Sequence, residues 1–71
     1  MTKRPYTTRA QRALALADTA AAAQGDEFIG TEHLLLGLLA EQTGPAAQIL
    51  THLGVTDDEV RRILAGFRAA P

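Results

Sequence analysis

Residues 30–41 read GTEHLLLGLLAE, with five leucines in six positions, broken by Gly37 and preceded by a threonine, a carboxylate and an imidazole. At roughly 100° per residue, Leu34, Leu35, Leu36, Leu38 and Leu39 sweep an arc of about 200° around a helix, twice what a helix lying on one side of a core requires. The segment therefore predicts a central helix, covered on two or more sides. In a chain of 71 residues, three short neighbours could wrap it, or part of the arc could be left for a partner surface. Hydrophobic gain and ordering entropy nearly cancel at this size, so they do not separate the two.

Outward from this segment the chain punctuates itself clearly. Thr7 and Thr8 are both candidate N-caps, after which Ala10, Ala13, Leu14, Ala17 and Ala21 recur at helical spacing until Gly25 stops the helix. A stripe made mostly of alanine lets a neighbouring helix approach closely while burying little area per residue. Phe28 and Ile29 are expected to anchor a short link, and Thr31 to cap the leucine helix through its hydroxyl. Gly44-Pro45 opens a third helix with Ala46, Ile49, Leu50 and Leu53 on one stripe, and Gly54 closes it. Thr56 and Glu59 form a capping box for a fourth, flanked by Val55 and Val60 at the staple positions, with Val60, Ile63, Leu64 and Phe67 on its apolar face. The expectation is four helices and no strand in one domain spanning 1–71.

Bulk properties exclude several function classes. Without cysteine there is no disulfide framework, thiolate zinc site or cysteine nucleophile, which fits a reducing cytoplasm. A net charge of −1 argues against a nucleic-acid binder, and no apolar run approaches the roughly 18 residues of a membrane span. Phosphate-loop, dinucleotide, GxSxG and HExxH motifs are all missing, so no catalytic residue is assigned and the chain reads as a non-enzyme. His33 and His52 fall on different helices with no acidic or histidine partner at i+4, so neither a metal site nor a cofactor is expected.

Two charge features remain. Asp57, Asp58 and Glu59 complement the positive end of a helix dipole, and Glu32 stands in the same relation to the leucine helix. Glu32 differs in lying beside the apolar anchors of the link, where its carboxylate could be aimed at a cationic ligand. Lys3, Arg4, Arg9 and Arg12 all precede the first acid, Asp18. Cations near a helix start are mildly unfavourable, so either an anionic ligand or solubility accounts for them.

The segments YTTRAQRALALA (6–17), FIGTEHLLLGLLAE (28–41), AAQILTHLGV (46–55) and DDEVRRIL (57–64), in this order and spacing, resemble one repeat of the Clp N-terminal domain of AAA+ unfoldases, most of all the ClpC type. The likeness covers Tyr6 to Phe67, and residues 29–38 are its most specific part. That family carries two repeats in tandem, with pseudo-two-fold symmetry; these 71 residues hold one, and no ATPase module. The resemblance implies an all-α module, with core 6–67, that receives protein substrates, adaptors or degradation signals for a Clp protease machine. It also implies that Glu32 holds the guanidinium of phosphorylated arginine, with the first-helix start near Tyr6 and Thr7 contributing; Arg9 and Thr31, at the two helix starts, are further ligand-binding candidates. Gln11 and Ala15 stand where family members often have a lysine and an acid, and EQTGPAA (41–47) replaces the common helix two to three connection, so ligand specificity is open to drift. A missing sister repeat predicts a homodimer that rebuilds the tandem fold. The competing expectation is a ligand-free helical oligomerisation module, in which Glu32 is only a helix-start acid.

Overall fold

The computed structural model describes residues 4–69; Lys3 of the basic end, and the outermost positions of the expected 1–71 unit, lie outside the described residues. Among the described residues are four helices, α1 (Thr8–Ala23), α2 (Thr31–Glu41), α3 (Pro45–His52) and α4 (Asp57–Ala69), and no strand. Thr7 caps α1, its Oγ1 accepting the Ala10 N–H at 3.1 Å. At the other end Gly25 takes φ +73°, so that its own N–H reaches the Ala22 carbonyl and the Asp26 N–H reaches that of Ala21, both at 3.0 Å. This turn satisfies the last carbonyls and is one that a Cβ would strain. Gly54, at φ +79°, ends α3 in the same way. Before α4, the Thr56 hydroxyl accepts the Glu59 N–H at 3.2 Å, while the Glu59 carboxylate turns to Arg62 instead of completing the box.

The start of α2 corrects the expected cap. Gly30 is the N-cap and Thr31 is already the first helical residue, exposed and without a capping bond. Because glycine offers no hydroxyl, the imidazole three residues on does the work: His33 Nδ1 accepts the Gly30 N–H at 2.8 Å.

The leucine helix is central, as its wide apolar arc requires. Among the described residues, helix α2 packs on α1, α3 and α4, and those three do not pack on one another. The α1–α2 pair is antiparallel, with Arg12 facing Glu41 at one end and Asp26 meeting His33 at the other. Their axes come close because Ala13 and Ala17 are buried against Gly37. A Cβ on Gly37 would lie 2.9 Å from the Ala17 nitrogen and closer still to the Ala13 carbonyl oxygen. Ala20 and Ala21 continue the buried stripe; Leu14, expected in it, lies one residue off that line and remains exposed.

Burial of the leucines is uneven. Leu36 and Leu39 are buried, Leu35 and Leu38 half-buried, and Leu34 exposed at the edge. The larger uncovered apolar surface lies elsewhere, at Ile49 (59% exposed) and Leu53 (73%) on α3 and at Ile63 (52%) and Phe67 (74%) on α4. Both stripes were expected to face inward. Helix α3 has barely two turns and docks through Ala47, next to its expected stripe, while none of the described side chains of α4 is buried. With α2 as their only helical neighbour among the described residues, α3 and α4 each cover one flank of their apolar face and leave the other open.

Candidate functional site

The left-handed Gly25 turn delivers Asp26 to the start of α2. There it meets His33, which is 1% exposed. Since Nδ1 accepts the Gly30 amide, the ring proton resides on Nε2, which donates to Asp26 Oδ2 at 2.8 Å. From the last turn of α4, 42 positions further along the chain, Arg68 closes on the same carboxylate. Its Nη1 donates to Asp26 Oδ1 at 3.1 Å and its Nη2 to Oδ2, and Nη2 stands 3.7 Å from Glu32 Oε2. The Arg68 hydrogen bonds hold the Asp26 carboxyl below the usual aspartate range, against partial desolvation and with help from His33. Reciprocally, Asp26 raises the pKa of Arg68. Phe28, Leu64 and Phe67 wall this open recess and Glu27 lies on its rim, so three carboxylates share a space with one guanidinium.

Asp26, Glu32 and His33 each offer a ligand atom, all within 4.8 Å of one another. This donor set fits a metal poorly. One imidazole nitrogen has its lone pair committed to the Gly30 amide and the other carries the proton, so a metal ion would strip the α2 start of its cap. A planar guanidinium needs only acceptors, and the carboxylates supply them.

The opposite end of the α1–α2 pair holds the other sequence candidates. Thr7, Arg9, Arg12, Thr43 and Pro45 line a second hollow, and Tyr6 is exposed next to the α1 cap. Beside them Glu41 is buried, its carboxylate accepting the Gly44 N–H at 2.7 Å and the Thr43 hydroxyl, with Arg12 Nη1 3.9 Å away. The Thr43 hydroxyl, then the Gly44 amide and the charges of Arg9 and Arg12, hold the Glu41 carboxyl below its usual range against desolvation. Arg9 and Arg12 thus have an intramolecular counter-charge, which neither the anionic-ligand nor the solubility reading supplied.

Glu32 and Thr31 therefore share one end of the molecule, and Tyr6, Thr7 and Arg9 the other. Nine residues of helix, ~14 Å, separate Glu32 from Glu41. The expectation that the α1 start contributes to the surroundings of Glu32 does not hold within one chain. Asp26, the second face of His33 and Arg68 were missed. Asp26 directly follows a helix-stopping glycine and was within reach of sequence reasoning; Arg68 meets it only through the tertiary fold.

The Clp repeat (R) N-terminal domain matches residues 5–69 of the chain. The chain is similar to the chloroplastic chaperone protein ClpC of Pisum sativum, 47% identical over 57 residues, and to a chloroplastic ATP-binding subunit of ATP-dependent Clp protease, a ClpA homolog, of Brassica napus, with the same identity. It is also similar to the chaperone protein ClpB of Oceanobacillus iheyensis, 42% identical over 57 residues. Each alignment covers 80% of this chain but only 6% or 7% of the relative.

Proposed function

Because the chain belongs to the Clp repeat (R) N-terminal domain family, we propose that it is a non-catalytic receiving module that presents proteins, adaptors or degradation signals to a Clp ATPase in the cytoplasm. The ligand we assign to it is phosphorylated arginine. One observation carries this reading: Asp26 and Glu32 already converge on a guanidinium, that of Arg68, in a recess with aromatic walls. Carboxylates bind a planar guanidinium through paired hydrogen bonds, and Phe28 and Phe67 offer aromatic surface to a cationic side chain. The phosphate would meet the Thr31 hydroxyl and the first-turn amides of α2, where the helix dipole favours an anion. Tyr6, Thr7 and Arg9 could join such a site only from a second copy, so the reading includes a homodimer that rebuilds a tandem pair.

Calorimetric titration with phosphoarginine tests the assignment. Wild-type protein should bind and Glu32→Ala should not, with unchanged helical circular dichroism. Equal binding by the two proteins would sink the role given to Glu32. The exposed apolar residues of α3 and α4 favour one other reading, a ligand-free oligomerisation module; that would show as a dimer with no phosphoarginine heat in either protein.

A further inference from the structure

We infer that Arg68 is a built-in competitor for the Asp26–Glu32 recess, a latch on α4 that an incoming guanidinium must displace. The inference rests on the reading of this recess as a guanidinium receptor and names how it is regulated. Arg68 grips Asp26 with both Nη atoms but stands 3.7 Å from Glu32, so it fills the floor of the recess and only borders the carboxylate nearest the α2 start. Asp26, Glu27 and Glu32 line the recess against this single guanidinium, and Glu32, only bordered by Arg68, keeps acceptor oxygens for a second planar guanidinium.

The element that carries Arg68 is built to leave. Among the described residues, helix α4 packs on no helix but α2, and none of its side chains is buried; Leu64 and Val60, both half-buried, are its least exposed apolar residues. Moving its last turn aside exposes Phe67, already 74% exposed, and leaves the Ala13–Ala17–Gly37 contact untouched. The ion pair is no rigid staple either, because the Arg68 side chain is 38% exposed and Asp26 27%. Water-accessible pairs of this kind bias an equilibrium only modestly. A binding-competent state populated a fraction of the time weakens apparent affinity by that fraction, so removing the latch should tighten guanidinium binding about fivefold.

Phosphoarginine titrations of wild type, Arg68→Gln, Arg68→Lys and Glu32→Ala, each checked for helicity, test this. Arg68→Gln should bind about fivefold tighter than wild type, and Arg68→Lys less so, because lysine keeps the charge but loses the two-pronged grip. In wild type, the Arg68 side-chain 15N signals should shift toward solvent-exposed values as ligand is added. Equal affinity in wild type and both Arg68 variants overturns it while leaving the proposed function standing. Weaker binding by the Arg68 variants overturns it too, making Arg68 part of the receptor. Binding by Glu32→Ala as tight as wild type removes the functional reading, and binding by no variant removes both. Should Arg68→Gln lose helicity, the Arg68→Lys comparison and the 15N signals still decide.

Discussion

Gly37 and Gly66 carry the same side-chain hydrogen in opposite surroundings. A Cβ on Gly37 would press into the Ala13 carbonyl and the Ala17 nitrogen, backbone atoms that cannot rotate away, whereas nothing lies within 4 Å of a Cβ on Gly66. Gly37→Ala should therefore destabilise the chain by about 2–3 kcal/mol through overpacking, and Gly66→Ala should stabilise it by about 0.5–1 kcal/mol through helix propensity alone. Urea unfolding of the two variants measures both; equal signs would refute the close α1–α2 approach. The alanine stripe and Gly37 were both visible in the sequence, and the close approach follows from them directly. His33 was less legible. Its place three residues after Gly30 permits the cap, but its second bond depends on Asp26, which only the turn at Gly25 brings there.

At the level of elements, two carboxylates tie the ends of α2 to the rest of the chain. Asp26 joins the α1 exit to α2 and α4, and Glu41 joins the α2 exit to α3 and to the basic start of α1. Both carboxyls titrate below their ordinary values of 3.8 and 4.5 in the folded chain. A depressed folded pKa means that the unfolded chain binds protons first. The stability these groups bring is complete above the ordinary values and is lost as pH falls through the folded ones. The urea midpoint should hold steady from pH 7 to about 5 and decline below about 4.5. Asp26→Asn and Glu41→Gln should each flatten part of that decline, and an unchanged acid profile in both would show that the carboxylates do not anchor the helices. The Thr7 cap of α1 and the glycine turns after α1 and α3 were legible because each uses neighbours within a few residues, whereas the cap of α2 was misplaced onto Thr31. The orientation of α3 and α4 was not, since a stripe of four apolar residues marks a face but not how much of it one neighbour can cover.

For the whole molecule, the open flanks of α3 and α4 decide the expected assembly. Ile49, Leu53 and Ile63, which lie outside the recess, are all more than half exposed. Large apolar groups left open in this number mark contact surfaces. A second copy should cover them, so size-exclusion chromatography with light scattering at micromolar concentration should give twice the 7.5 kDa chain mass. Ile49→Glu should return the single-chain mass with helicity retained, and a wild-type species of one chain mass across the concentration range would remove the homodimer. What the sequence determined alone was the all-α class, the helix stops, the centrality of the leucine helix and the likeness to one Clp repeat, because periodicity, caps and glycine turns act over a few residues. Only the tertiary structure decided that Asp26, Glu32, His33 and Arg68 share a recess and that Tyr6, Thr7 and Arg9 stand at the other end. That division follows from the antiparallel packing of α1 on α2 and the return of α4, and contacts between residues tens of positions apart leave no local pattern in a single chain.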